Sequence, residues 1–211
     1  MRTSVLIRRC VTALIGAVLV MPSAPAAAVA APASLGYLGG SLTVNAVDGY
    51  FAVGGQRFWV GNDSAYGGGT VTVWAQGIND PSNPYWVAFA NLRDTNPPTV
   101  AVWVQLLAHQ ASTANPPAAR QVVQHVKQLV PGARVYVSAM NGYTSYTNVT
   151  CTTPQAVAQM RAIAARLVTE GLALEGPQVG NLDPATQTRD NCHANDAGKQ
   201  VLGTILHDFF G

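Results

Sequence analysis

One segment constrains the fold more than any other: a near-continuous apolar run, Thr99–Leu106, followed by a well-marked helix. A strand that is apolar along its whole length is typical of a parallel sheet buried on both faces. The helix has Asn115 as its cap and Pro116 in its first turn, and Pro131-Gly132 ends it. A buried strand that leads into a helix predicts a parallel sheet covered by helices.

The same alternation extends over most of the chain. The predicted strands are Ser34–Leu38, Arg57–Val60, Thr99–Leu106, Val135–Met140 and Gln178–Leu182. The predicted helices are Ser41–Val47 (ended by a turn at Asp48-Gly49), Pro84–Leu92, 115–130, 153–170 and Ala194–Phe210. This order predicts an α/β fold: a three-layer α/β/α sandwich with a mostly parallel, flavodoxin-like five-stranded sheet. Ligands of such sheets bind beyond the carboxyl ends of the strands, so we expect a site at that edge.

Residues 1–30 have the pattern of a secretory signal peptide. Three arginines, Arg2, Arg8 and Arg9, precede an uncharged apolar run from Cys10 to Met21, and an alanine-rich stretch follows it. The run is shorter than the roughly 20 residues that a membrane span needs. We therefore expect cleavage, a secreted domain at residues 31–211, and no stable membrane span after cleavage.

Charge argues against a nucleic-acid partner. The full chain has 12 basic and 10 acidic residues, and loss of the three leader arginines leaves 9 against 10, a net charge of −1. A mature chain without a basic stripe has nothing to hold a row of phosphates. Its 181 residues suit one domain with a real core, and we expect a monomer.

Two cysteines remain after residue 30, Cys151 and Cys192. An even count in an exported chain favours a disulfide, although two free buried thiols would also fit the sequence. Two cysteines this far apart, with no paired Cys/His spacing around them, argue against a zinc site. We expect neither a metal nor another cofactor.

Ser41 follows Gly39-Gly40 at the predicted start of the first helix. Glycines allow a sharp turn and close approach of a substrate, and the N–H groups of a helix N-terminus favour developing negative charge. The position suits a nucleophile in acyl transfer. It equally suits a serine that only caps the helix, and the segment alone leaves both interpretations open.

His193 is the natural partner for such a serine, because Asp190 stands three residues before it and one loop can present both. Acyl transfer by serine needs a base and a group that orients the base. A loop that merely caps the last helix is the alternative, but Asn195 or Asp196 can serve as that cap. The sequence thus predicts a triad of Ser41, His193 and Asp190.

Together these blocks resemble the SGNH/GDSL hydrolase family of secreted esterases and lipases. Gly39-Gly40-Ser41-Leu42 is similar to its Gly-Asp-Ser-Leu block, Gly67-Gly68-Gly69-Thr70 to its later glycine block, and Asp190-Asn191-Cys192-His193 to its Asp-x-x-His. The resemblance implies that Ser41 is the nucleophile, His193 the base and Asp190 its orienting carboxylate. It also implies that the backbone N–H groups of Ser41 and Gly69 form part of the oxyanion hole.

The chain departs from the family pattern in two places. Gly40 replaces the usual aspartate, which is not a triad member. The Gly-x-Asn-Asp block is missing: Gln105-Leu106-Leu107-Ala108-His109-Gln110 stands there, with His109 near the place of the asparagine that donates to the oxyanion. Gln105, His109 or Gln110 could supply that donor, and a loop histidine without a site role is as compatible with the sequence. Loss of such a donor costs roughly a hundredfold or more in rate.

Asn141 and Tyr143 follow the strand Val135–Met140, so we expect them at the same edge, where they could contact substrate or could simply pack the loop. The leading hypothesis is a secreted serine esterase that cleaves carboxylic esters, such as an acyl lipid or an O-acetylated glycan, through an acyl-enzyme. The alternative is a catalytically weakened or inactive module of the same fold that binds carbohydrate or cell wall.

Overall fold

The apolar run found in the sequence forms the longest strand of the sheet. The computed structural model describes residues 33–61 and 66–211. Within them the strands are β1 (Ser34–Leu38), β2 (Thr99–Leu106), β3 (Arg134–Ala139), β4 (Gly142–Tyr143), β5 (Leu174–Glu175) and β6 (Asn181–Leu182). The last six residues of β2 are buried, as expected for a strand covered on both faces. The leader predicted at residues 1–30 lies outside the described residues.

The main sheet is parallel throughout, with spatial order β1-β2-β3-β5. Phe58, which follows the first helix, makes a single parallel bridge to Leu35 of β1. If Phe58 is counted as a rudimentary strand beside β1, the strands follow the spatial order 2-1-3-4-5, numbered along the chain, as in flavodoxin-like sheets. The sheet therefore has four regular strands where the sequence predicted five, and one residue occupies the remaining position.

Helices flank this sheet. They are α1 (Ser41–Ala52), α2 (Val71–Gln76), α3 (Pro84–Thr95), α4 (Pro116–Leu129), α5 (Pro154–Thr169) and α6 (Asp196–Phe210). The packing is α1 on α6, and α4 on both α2 and α5. Together with the sheet order, this confirms the predicted α/β class. No helix in the described ranges is long and apolar enough to cross a membrane.

Side-chain caps begin the three longest helices where the sequence predicted. The side-chain oxygens of Asn115, Thr153 and Asn195 accept hydrogen bonds from N–H groups in the first turns of α4, α5 and α6. Each cap satisfies a donor that the helix itself cannot. Local chemistry thus explains where these helices begin.

Two predicted boundaries were wrong. α1 continues through Asp48-Gly49 to Ala52 instead of ending in a turn there. Gly49 lies inside the helix because it faces α6 so closely that a Cβ would overlap the carbonyl of Lys199. The last strand of the main sheet is β5, not Gln178–Leu182, and only β6 within that range is a strand, pairing with β4 outside the main sheet.

Aromatic side chains make up a large part of the core. All four tryptophans are at most 7% exposed, in agreement with the expectation that they are core residues: Trp59, Trp74, Trp86 and Trp103. The indole N–H of Trp74 donates to the carbonyl of Gly39 at 2.7 Å. The core therefore fixes the turn that leads from β1 into α1.

Candidate active site

A tight turn carries Ser41 from the end of β1 into the first position of α1. A Cβ at Gly39 would overlap the side chain of Thr43, so this position must be glycine. The N–H of Gly40 donates to Thr43 Oγ1 at 3.0 Å, which closes the first turn of the helix. Ser41 is therefore held on a rigid element rather than on a loop.

The departure at Gly40 has a partner elsewhere in the site. A Cβ at Gly40 would lie 3.0 Å from Leu107 Cδ2 and 3.3 Å from the carbonyl oxygen of Gly69. Leu107 occupies the space beside Gly40, so a larger residue at position 40 would have to displace it.

Ser41, His193 and Asp190 form a continuous hydrogen-bonded chain. Ser41 Oγ lies 2.9 Å from His193 Nε2, and His193 Nδ1 lies 2.8 Å from Asp190 Oδ2. A carboxylate only accepts, so Nδ1 carries the proton and donates to Asp190. In the neutral imidazole, Nε2 is then the acceptor for the Ser41 hydroxyl, which is the arrangement a general base requires.

Asp190 also shapes the loop that carries His193. Its Oδ1 accepts from the backbone N–H of His193 at 2.7 Å and of Cys192 at 3.1 Å. Between Asp190 and Cys192, Asn191 has a left-handed backbone with φ of 61°, a conformation that asparagine tolerates better than most residues. Burial acts to raise the pKa of Asp190, but hydrogen bonds from His193 and the Cys192 amide outweigh it and lower that pKa. The carboxylate is therefore anionic at neutral pH.

A disulfide joins Cys151 to Cys192, with a Cα–Cα distance of 5.7 Å. This confirms the predicted bridge. Cys192 precedes His193, so the bridge ties the His193 loop to the segment before α5. Asp190, Cys192 and His193 have side-chain ligand atoms close enough to share a cation, but the disulfide removes the thiolate such a site would use.

A mostly apolar pocket of about 220 Å³ opens at Ser41 and His193. Its walls include four largely buried side chains and both sulfur-bearing residues of the disulfide: Leu42, Leu107, Ala108, Met140, Cys151 and Cys192. The glycine block contributes Gly68, Gly69 and the helix cap Thr70. Such a lining favours an apolar group over a sugar next to the serine.

The predicted oxyanion donors differ in their availability. The Ser41 N–H is the first of α1 and has no acceptor within the helix, so it can face a developing charge. The Gly69 N–H, although Gly69 lines the pocket, donates to the carbonyl of Tyr66 at 3.0 Å. In this conformation Ser41 offers the freer donor of the two.

His109 lines the same pocket as Ser41 and His193. Its Nδ1 lies 2.8 Å from the carbonyl oxygen of Cys151. Because a carbonyl only accepts, Nδ1 carries the proton, and Nε2 of the neutral ring is an acceptor. His109 can donate to an oxyanion through Nε2 only as an imidazolium. Its side chain is exposed, so water can reach it.

Gln105 does not line the pocket. It is 2% exposed, and its Oε1 accepts from the hydroxyl of Thr43 at 2.7 Å. Its Nε2 has no hydrogen-bond partner among the described residues. The expectation that Gln105 donates to an oxyanion is therefore not met, because strand alternation places its side chain beneath α1.

Asn141 and Tyr143 also lie below the surface, at 0% and 3% exposure. Tyr143 donates its hydroxyl to the carbonyl of Cys192 at 2.7 Å, so it supports the His193 loop from inside. The predicted contact with substrate is not met for either residue. They follow a strand end, as predicted, but their side chains point into the protein.

Neither a protein-family model nor a curated protein matches the sequence of this chain. Among solved structures, it is similar to a protein from Parabacteroides merdae ATCC 43184 described as a GDSL-like lipase. The TM-score is 0.50 at 11% sequence identity, over 83% of this chain and 94% of that one. At this identity the likeness shows a shared GDSL-lipase-like fold, in agreement with the resemblance read from the sequence, and nothing about substrates.

Proposed function

We propose that the protein is a serine hydrolase that cleaves carboxylic esters through an acyl-enzyme. The observation that carries the proposal is the hydrogen-bonded chain from Ser41 through His193 to Asp190, with links of 2.9 and 2.8 Å, at the mouth of a pocket. A serine used only as a helix cap needs neither a histidine nor a carboxylate behind it. The shared fold with a GDSL-like lipase supports the same class.

In the first half-reaction, Ser41 Oγ attacks the ester carbonyl carbon while His193 Nε2 takes the hydroxyl proton. The resulting oxyanion faces the Ser41 N–H at the N-terminus of α1, where the helix dipole favours negative charge. Collapse breaks the bond to the alcohol oxygen, which leaves with the proton from His193. Asp190 stabilises the imidazolium that forms in between.

In the second half-reaction, a water molecule replaces the alcohol. His193 takes a proton from the water while the water oxygen attacks the acyl carbon. The second tetrahedral species releases the carboxylic acid and returns the proton to Ser41. Because Gly69 donates elsewhere and His109 is an acceptor when neutral, we expect turnover below that of an enzyme with a complete oxyanion hole, by roughly 10².

The apolar pocket favours the ester of a longer acyl chain, as in an acyl lipid, over an O-acetylated glycan as substrate. An acetyl group would fill only a small part of a cavity of about 220 Å³. The alternative function, carbohydrate binding by a weakened site, draws support from the altered oxyanion donors. An apolar lining beside Ser41 argues against it, because sugars are bound mainly through polar groups. From the leader pattern and the cystine, we also propose that the protein is exported.

Fluorophosphonate labelling of the mature protein tests the proposal. We expect one label per chain, mapped to Ser41 by mass spectrometry, and no label in Ser41→Ala or His193→Ala. Ser82→Ala is the matched control, since Ser82 is an exposed serine whose hydroxyl donates to Asp80 rather than to a histidine, and it should label fully. A folded wild-type protein that takes no label, and hydrolyses no p-nitrophenyl ester, would contradict the hydrolase and favour the binding module.

A further inference from the structure

Asn45 and Ser41 contact consecutive parts of the loop that carries the base. Ser41 Oγ meets His193 Nε2 at 2.9 Å, and Asn45 Oδ1 accepts from the backbone N–H of Ala194 at 3.0 Å. Residues four apart lie on the same face of a helix. One face of α1 therefore carries the nucleophile and, one turn later, a contact to the residue next to the base.

Because Asn45 is buried, its hydrogen bond to the Ala194 N–H is unlike the incidental contacts that exposed polar side chains make. Asn45 is 6% exposed and Ala194 is 1% exposed, and their hydrogen bond is buried. A buried face of a helix is ordinarily apolar, and an amide there is costly unless it is hydrogen-bonded. An apolar residue at 45 would fit the helix but would leave the Ala194 N–H buried without an acceptor.

Close packing between α1 and α6 fixes the distance between Asn45 and the Ala194 N–H. A Cβ at Gly203 of α6 would overlap the backbone of Gly49 of α1, so the two helices meet with no side chain between them. Helices in such contact cannot slide past each other without steric overlap. α6 begins at Asp196, shortly after His193. The glycine contact sets the far end of the interface, and the Asn45 bond sets its catalytic end.

We propose that Asn45 is a positioning residue that holds His193 in register with Ser41 through the Ala194 N–H. The inference rests on the proposed hydrolase function. Asn45 touches neither substrate nor the reacting atoms, so its loss should affect the chemical step and leave substrate binding unchanged. A misplacement of about 1 Å between reacting groups can cost roughly a hundredfold in rate.

Steady-state kinetics of Asn45→Ala on p-nitrophenyl butyrate test the proposal. We expect kcat to fall roughly 10- to 100-fold while KM stays within about twofold, because ground-state contacts remain. Asn45→Asp keeps an acceptor oxygen in the same place and should recover most of kcat. Asp48→Asn is the matched control: it breaks the 2.7 Å ion pair between Asp48 and Lys199, which joins the same two helices at the surface. That variant should keep the wild-type kcat.

A second readout does not depend on turnover. The Ala194 amide proton should exchange with solvent at least about tenfold faster in Asn45→Ala than in the wild type, because its acceptor is gone. A folded Asn45→Ala protein with unchanged kcat, or with unchanged Ala194 exchange, overturns the inference, as does an equal loss of kcat in Asp48→Asn. If the wild-type protein shows no turnover, or turnover that Ser41→Ala does not remove, the proposed function is overturned instead. The exchange measurement then still decides the role of Asn45.

Discussion

The hydroxyl of Tyr143 donates a 2.7 Å hydrogen bond to the carbonyl of Cys192, the residue immediately before His193. Tyr143 belongs to β4 and Cys192 to the loop before α6, so this bond supports the loop from the interior. Burial raises the pKa of Tyr143 to about 12 and outweighs a hydrogen bond from Asn141 that lowers it, while Tyr146 and Asp190 make smaller contributions that raise it. The phenol therefore stays protonated, and remains a donor, well into the alkaline range.

That shift predicts a loss of stability at alkaline pH. The unfolded chain releases the Tyr143 proton near pH 10 and the folded protein near pH 12. The stabilisation is thus fully present below pH 10, and between these values the free energy of unfolding should fall by up to about 1.4 kcal/mol per pH unit. Urea unfolding at several pH values should show this slope reduced in Tyr143→Phe. Tyr85→Phe controls for loss of a hydroxyl that bonds a carbonyl, and an unchanged slope in Tyr143→Phe would refute the assignment.

Removal of the disulfide should weaken both the fold and the site. The bridge spans 41 residues, and the entropy of closing such a loop corresponds to about 4 kcal/mol in the unfolding free energy. Replacement of Cys151 and Cys192 by serine should lower stability by that order and reduce kcat, because the His193 loop loses its tether. A reductant should lower the stability and the kcat of the wild type in the same way, and should leave the double variant unchanged. Full activity in the reduced protein would show that Tyr143 and Asn45 suffice to hold the loop.

Met140 should limit the length of the acyl chain, if the pocket binds the acyl group as proposed. It is 2% exposed and lines the pocket beside Ser41, so Met140→Ala extends the cavity by the atoms beyond Cβ. We expect the best p-nitrophenyl ester to become longer by two or three carbons, roughly the length of the side chain removed, at a stability cost of about 2–5 kcal/mol.

Met160→Ala is the control for this experiment. Met160 is fully buried in α5 and does not line the pocket, so its loss should cost similar stability. Its profile of activity against chain length should match the wild type. A shift of the optimum in both variants, or in neither, would assign the acyl group to another part of the surface.

Asp190→Asn tests the orienting carboxylate. The amide can hold the loop but cannot stabilise the imidazolium, and it favours the wrong tautomer of His193, so kcat should fall by roughly 10³–10⁴. Because the pKa of Asp190 is lowered, the wild-type carboxylate should remain ionised through mildly acidic pH, and its contribution is lost only as pH falls through that lowered value.

Asp183→Asn is the control for Asp190→Asn. Asp183 accepts hydrogen bonds within its own turn, from Ala185 and Thr186, and hydrogen bonding lowers its pKa as well. It belongs to the same stretch of chain but does not contact His193 in the described structure. A large loss of kcat in Asp183→Asn, or a small one in Asp190→Asn, would mean that the carboxylate beside His193 does not act as proposed.

Local sequence signals predicted much of this structure. Caps such as Asn115 and Thr153 identified helix starts because a cap is a short-range interaction. The spacing of Asp190 and His193 also predicted their contact, since three residues bring both into one turn. The Ser41 segment alone left a helix cap open, and its meeting with the distant His193 was suggested only when that segment was combined with Asp190-Asn191-Cys192-His193.

Signals that depend on distant parts of the chain were misread. Gly49 suggested a turn, but it is a helical residue in contact with α6, and nothing near it in sequence reveals that partner. Gln105 was predicted at the pocket because it lies near the place of the missing Gly-x-Asn-Asp block, and Tyr143 because it follows a strand end. The register of the strand decides whether a side chain points into a pocket or beneath it, and that register is set by tertiary packing.

The separation of Ser41 and His193 has a consequence for how the protein is made. The two residues are 152 positions apart, with the nucleophile toward the start of the described fold and the base just before its last helix. At roughly 5–20 residues per second, a ribosome needs on the order of ten seconds to travel from one to the other. During translation the chain therefore carries Ser41 without His193 beside it. In the proposed mechanism, the reactivity of Ser41 appears only after the segment that carries His193 has been made and α6 has docked on α1.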